Sequence, residues 1–184
     1  NNSNSLRQLI NILKNQSTST DNSLENQQRI EALSLLNRML YENGGKNSGN
    51  INEYLPELCK VKKQTTDNKV DIQVASSKIN LTFNQLKDIG QIVNELTMNA
   101  IKYAFQGVDN PIIKISVSES NNFLNLNVHD NGCGIDVNKI THGSTSGFGL
   151  KYVELLVKQY DGTLHIKNEN GTMFDIQIKK LPIG

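Results

Sequence analysis

The chain has little of what usually marks a function. Two cysteines, Cys59 and Cys133, stand in 184 residues, without CxxC spacing, and the three histidines form no set with them. That excludes a disulfide framework and a structural zinc site, and it favours a reducing compartment. Neither sign of charge is in excess. The formal net charge of +1 provides no field for nucleic acid or an anionic membrane. No apolar run approaches the ~20 residues of a membrane span, and no secretory signal is visible. Apolar residues make up 36%, enough for a core of moderate size, and the length fits one domain, or one domain with a helical appendage. The chain opens on Asn1 rather than Met, which reads as a piece of a longer protein with room upstream for a sensor or a membrane segment. Asparagine is abundant throughout, a composition bias rather than a prion-like tract.

What is present is organised around Asn94-Glu95-Leu96-Thr97-Met98-Asn99-Ala100-Ile101-Lys102-Tyr103-Ala104-Phe105. This reads as the end of a long helix that starts near Gln85. Leu86, Ile89, Val93, Leu96, Ala100 and Ala104 fall on one face at helical spacing. Asp88, Gln91, Glu95, Asn99 and Lys102 fall on the other. Glu95, Asn99 and Lys102 stand at i, i+4 and i+7, which stacks them along one line. A carboxamide oxygen is a hard ligand for Mg²⁺, an ammonium is a point charge for phosphate, and a carboxylate orients a nucleophile. The line suits a metal-bound polyphosphate; a solvated polar face is the competing reading.

Before that helix, residues 1–16 and 24–41 carry apolar positions at helical spacing, separated by a polar break from Gln16 to Asn22. Two such helices form an antiparallel hairpin, which must pair with a second copy or with the rest of the chain to bury enough surface. Glu42 to Asn50, with Gly44, Gly45 and Gly49, is a linker signal and the best domain boundary. Ile51 to Lys63 is helical, residues 70–74 alternate as a strand, and Ile79-Asn80-Leu81 is another short one. After the organising helix, Ile113, Ile115 and Val117 mark one strand, and Phe123, Leu124, Leu126 and Val128 the next, with Ser118 to Asn122 as the turn. A helix over residues 149–160 stops at Asp161-Gly162. Two final strands, 163–167 and 173–178, flank the hairpin turn Asn170-Gly171. Helices interleaved with hairpin-linked strands give an α+β fold, a two-layer sandwich with helices on one face of a mixed sheet.

Two glycine loops interrupt this plan. The strand ending at Val128-His129 runs into Asp130-Asn131-Gly132-Cys133-Gly134-Ile135. Glycines at this spacing admit a ligand close to the backbone, and an Asp at a strand end can accept from an exocyclic amine; a plain Asn-Gly turn is the competing reading. An EF-hand is excluded, because its twelfth position is Thr141 rather than Glu. Further on, Ser144-Thr145-Ser146-Gly147-Phe148-Gly149-Leu150 opens a helix, whose free N–H groups and positive dipole end suit phosphate. No Gly-Lys-Ser/Thr follows, which excludes a Walker loop. Tyr152 stands where a dinucleotide fingerprint needs its third Gly.

The order of parts resembles the ATP-binding domain of the GHKL group: histidine kinases, Hsp90, gyrase and MutL. NELTMNAIKYAF and GFGLKYVELLVKQYDGTLHI are most similar to bacterial sensor histidine kinases, and the resemblance covers residues from about 51 to 180. The segment Arg29 to Tyr41 resembles the second helix of the dimerisation hairpin in the His-x-x-Lys-Asn-Asn subclass, and Asn1-Asn2 with Leu6, Leu9 and Ile10 resembles the end of its first. By that alignment the acceptor histidine would lie just before Asn1; His129, His142 and His165 are not on the hairpin. Either the chain is cut after that histidine or the protein lacks it.

The resemblance implies a homodimerising hairpin over residues 1–46 and a catalytic domain over residues 51–184. It implies ATP and Mg²⁺ as cofactors, a response-regulator receiver domain as partner, and a cytoplasmic location, either free or as part of a membrane-bound sensor. It predicts no nucleic acid and no membrane contact from this segment. By resemblance Asn99 binds Mg²⁺ with Glu95 beside it, Lys102 faces phosphate, and Tyr103 packs on adenine. Asp130 reads the adenine amine, and Thr172 supports it through water by its hydroxyl. Gly132 and Gly134 admit the nucleotide and Ile135 lines the base pocket. Ser146, Gly147, Gly149 and Leu150 lie along the phosphates, with Ser144 and Thr145 as further contacts in a short lid. Glu95 has two readings: in ATPase members the Glu activates water, and in kinases it helps activate the histidine. The expected activity is transfer of the γ-phosphoryl group of ATP to a histidine and then to an aspartate. The alternative is a degenerate module that binds nucleotide and dimerises without catalysis.

Overall fold

The computed structural model describes residues 34–35, 38–39, 47–65, 69–135 and 148–183, with 61–65 and 148 as backbone alone. The elements are β1 (Ser48–Asn50), α1 (Ile51–Thr65), β2 (Asp71–Ser76), β3 (Asn80–Thr82), α2 (Phe83–Asn99), a π-helical turn (Ala100–Ala104), β4 (Ile112–Ser120), β5 (Phe123–Asp130), α3 (Phe148–Gln159), β6 (Thr163–Asn168) and β7 (Thr172–Lys179). The hairpin expected over 1–46 lies outside the described residues, apart from the helical positions Ser34, Leu35, Arg38 and Met39. Leu35 joins the core and Met39 packs against it.

The main sheet has the order β2-β4-β5-β7-β6. β2 runs parallel to β4, and the other pairs are antiparallel. The sheet is therefore mixed, as the alternating patterns require. One face buries Ile113, Ile115, Val117, Leu124, Leu126, Val128, Phe174, Ile176 and Ile178 under the helices. This is the two-layer α+β sandwich that the sequence predicts. The other face is polar: Asn127 donates to Asp175, and Lys167 Nζ lies 2.9 Å from its Oδ2. The hydrogen bond from Lys167 holds the Asp175 carboxyl below the usual carboxylate range.

Three local findings differ from the sequence reading. The Gly-rich linker ends early: Ser48–Asn50 forms β1 and pairs antiparallel with Thr82, Leu81 and Asn80. Backbone pairing needs no apolar side chain, so nothing in Ser-Gly-Asn signals it. The β4–β5 turn is shorter than Ser118–Asn122. Asn121 and Asn122 both take positive φ, of 51° and 63°, and so close a two-residue hairpin turn. Finally, the organising helix does not run as a plain α-helix to Phe105 but widens into a π-turn from Ala100. A π-turn advances each residue less around the axis, so the positions after Ala100 are turned back from where an α-helix would carry them.

α2 is buried nearly all round. Thr82 caps it, its Oγ1 accepting from Gln85 N–H at 3.3 Å. Its polar positions Asp88, Gln91 and Glu95 are only 3%, 8% and 6% exposed. The solvated-face reading is therefore overturned: the polar stripe of α2 is covered by the fold.

Candidate nucleotide-binding site

Asp130 is placed by the pleat of β5. Leu124, Leu126, Val128 and Asp130 occupy successive inward positions, so the strand carries a carboxylate to the end of an apolar row. A buried carboxylate is costly unless hydrogen-bonded. Asp130, 4% exposed, has two donors: Gly132 N–H at 2.9 Å and Thr172 N–H at 3.2 Å, both to Oδ1. Thr172 thus reaches Asp130 directly, through its backbone N–H. Gly171, at φ +125°, passes so close that a Cβ there would overlap the Asp130 carbonyl.

The loop from Asn131 to Ile135 is tied to three elements. Asn131 Oδ1 accepts from Ile112 N–H at 2.7 Å, and its Nδ2 donates to the Asn110 carbonyl at 2.8 Å. Cys133 N–H donates to the Ala104 carbonyl at 2.9 Å, joining the loop to the π-turn. Ile135 N–H donates to Asn168 Oδ1 at 3.0 Å, and Asn168 Nδ2 donates to the Ile135 carbonyl at 2.7 Å. Gly132 faces Ala104 so closely that a Cβ would lie 2.5 Å from its carbonyl oxygen. Gly134 adopts φ +78°, a conformation that favours glycine.

The second cluster lies where α2 meets the first turn of α3. Gly149 sits against Glu95 and Asn99: a Cβ on it would lie 2.7 Å from Glu95 Oε2 and 3.6 Å from Asn99 Nδ2. Glu95 is buried and Asn99 half-buried. Leu150 turns into the core. At the far end of the same helix pair, Asp88 accepts from Tyr160 Oη at 2.7 Å and from Gln159 Nε2 at 3.3 Å. Burial, and then the hydrogen bond to Asp88, push the Tyr160 phenol well above its ordinary value.

The structure thus groups Asp130, Gly132, Gly134, Ile135 and Thr172 in one cluster and Glu95, Asn99 and Gly149 in another, with the Cys133–Ala104 bond tying loop to helix end. Lys102 is half-buried, while Tyr103 is 71% exposed. Ser144, Thr145, Ser146 and Gly147 lie outside the described residues. Sequence reasoning missed Asn131 and Asn168 as loop supports. Their only signal is that asparagine side chains favour bonds to nearby backbone. Among the described residues no three His, Cys, Asp or Glu side chains gather as a metal cage. A carboxamide beside a carboxylate fits Mg²⁺, which keeps several waters and uses few protein ligands when it is bound with phosphates.

A mixed sheet under helices, with a strand-end carboxylate and a glycine loop against an Asn-bearing helix, has the form of a GHKL nucleotide-binding sandwich. Residues 84–182, more than half of the chain, match the histidine kinase-, DNA gyrase B- and HSP90-like ATPase family, and the chain belongs to it. Within that family its similarity is to bacterial sensor histidine kinases. Sensor histidine kinase YvrG of Bacillus subtilis (strain 168) is 31% identical over 106 residues, covering 49% of this chain and 18% of that protein. An NtrY-like relative from Rickettsia bellii (strain RML369-C) is 29% identical over 99 residues, covering 46% of this chain and 16% of its own length. The chain therefore spans less than a fifth of these curated relatives. The histidine kinase domain of the blue-light activated histidine kinase from Erythrobacter litoralis EL346 shares the fold, with TM-score 0.74 at 21% identity over 84% of this chain and 74% of that one. The mycobacterial sensor histidine kinase MprB superposes with TM-score 0.60 at 16% identity, over 74% of this chain and 99% of that one. No described helix is long and apolar enough to cross a membrane.

Proposed function

We propose that this chain is the ATP-binding catalytic region of a two-component sensor histidine kinase. It transfers the γ-phosphoryl group of ATP to a histidine and thence to an aspartate of a response regulator. The chain divides into a homodimerising hairpin over residues 1–46 and a catalytic domain over residues 51–184, to which β1 is attached. The observation that carries the reading is Asp130: a buried carboxylate at a strand end, fixed through Oδ1 by two backbone donors and flanked by a glycine loop. A base with an exocyclic amine is recognised by such an acceptor, and a mismatched base leaves it unpaired.

Phosphoryl transfer needs positioning and charge neutralisation more than covalent chemistry. Asn99 would hold Mg²⁺, whose charge would offset that of the phosphates. Glu95 beside it orients the acceptor nitrogen, and Lys102 adds a positive charge. Gly147 and Gly149, with Ser146 and Leu150, bring the start of α3 to the phosphates. Gly132 and Gly134 admit the base, Ile135 lines its pocket, and Tyr103 packs on it.

Calorimetric titration of the chain with ATP, with and without Mg²⁺, tests this reading beside Asp130→Asn. Binding that is lost in Asp130→Asn while the variant stays folded supports it. A folded chain that does not bind ATP, or an Asp130→Asn variant that binds unchanged, overturns it and moves the weight to a module that signals by contact alone.

A further inference from the structure

Asn168 is the last residue of β6, and its side chain reaches across to the glycine loop. The carboxamide accepts from Ile135 N–H at 3.0 Å and donates to the Ile135 carbonyl at 2.7 Å. A side chain that both gives to and takes from one residue's backbone reproduces a strand pairing without a strand. Immediately before Ile135 lies Gly134, whose absent Cβ would stand 3.1 Å from Asn168 Oδ1, so the amide covers the bare face of that glycine. The other end of the loop is fixed in the same manner, by Asn131 on Ile112 and Asn110. Asn168 is exposed, so this contact fills no core. Its backbone already pairs with Thr172 in the sheet, so the side chain is not needed for the ladder. What the amide fixes is the path of Gly134 and Ile135 next to Asp130.

We infer that Asn168 is a positioning residue for the bound nucleotide, acting through the backbone of Ile135. The inference rests on the nucleotide reading of this site. A ligand that must order a loose loop binds more weakly than one that meets a fixed loop, because ordering costs entropy. Exposed side chains contribute little to global stability. Removing the amide should therefore loosen the loop and weaken binding while the fold persists.

The test uses the whole chain and its Asn168→Ala and Asn168→Asp variants. Hydrogen exchange at the Ile135 amide reads the clip without ligand, and calorimetry with Mg-ATP and with AMP reads its consequence. The expected result for Asn168→Ala is lost protection at Ile135 and a Kd raised about tenfold for both nucleotides. Thermal unfolding should stay near that of the parent. Asn168→Asp keeps the acceptor but not the donor, so it should recover protection at Ile135 and only part of the affinity. An unprotected Ile135 amide in the parent chain, or an unchanged Kd in Asn168→Ala, overturns the inference and leaves the nucleotide reading standing. A parent chain that does not bind ATP overturns both.

Discussion

Gly149 packs against Glu95 so closely that a single added methyl group would stand 2.7 Å from the carboxylate oxygen Oε2. The start of α3 therefore meets α2 near its C-terminal end, beside the Glu95 carboxylate and the Asn99 carboxamide. Gly149→Ala pushes the buried end of the Glu95 side chain aside, while its methyl group meets Asn99 at an ordinary contact of 3.6 Å. Overpacking of this kind costs about 1–3 kcal/mol. The expected outcome is a folded variant with a lowered urea midpoint and Mg-ATP binding weakened at least about tenfold, a larger loss than the stability change alone would produce. Calorimetry and urea unfolding of the same sample measure both.

The buried Asp88–Tyr160 pair at the opposite end of these helices makes a different prediction. Tyr160→Phe removes the 2.7 Å donor to Asp88 and leaves a buried carboxylate short of a partner. Such a loss costs about 1–3 kcal/mol. Stability should also depend on alkaline pH. The Tyr160 phenol is raised by burial, and by Asp88, so the folded state favours its protonated form. This contribution is fully present below the unfolded value of about 10 and is lost as pH rises above it. Urea midpoints between pH 8 and pH 11 should fall, and the fall should be shallower in Tyr160→Phe.

These contacts also mark where the sequence stops being legible. The strands with Ile113, Ile115 and Val117, and with Leu124, Leu126 and Val128, follow from period-two alternation alone. Asp130 and its glycines are visible as a motif on the strand end. Periodicity also separates the two faces of α2, but it cannot say what covers the polar one. The cover is α3, and Tyr160 meets Asp88 across 72 positions of chain. The π-turn leaves no pattern either, because Ala100 to Ala104 reads equally well as α-helix. Asn168 sits beside a turn rich in asparagine, and only its side-chain direction distinguishes it from its neighbours.

Tyr103 lies within that π-turn. The ring is 71% exposed, so the ligand-free fold gains little from it. Tyr103→Ala should change the unfolding free energy by no more than about 0.5 kcal/mol. Loss of an aromatic stacking partner costs a ligand about 0.5–1.5 kcal/mol, a Kd raised roughly twofold to tenfold. Equal factors for ATP, ADP and AMP would place the ring on the base; a factor confined to ATP would place it on the phosphates and refute the base assignment.

The two cysteines offer a test that needs no substitution. Cys59 is buried in the core, whereas Cys133 is exposed between Gly132 and Gly134. A thiol reacts only where reagent reaches it. Brief treatment of the folded chain with iodoacetamide should therefore add one carbamidomethyl group, at Cys133, and denaturant should expose Cys59 to a second. If nucleotide enters beside Gly132 and Gly134, saturating Mg-ATP should slow labelling of Cys133, and in the Asp130→Asn variant it should not. Peptide mass spectrometry over a time course measures the rate. Labelling of Cys133 at one rate with and without Mg-ATP, in a chain that calorimetry shows to bind it, would mean that the nucleotide lies away from this loop. The Asp130 assignment would then fail even though the chain binds ATP.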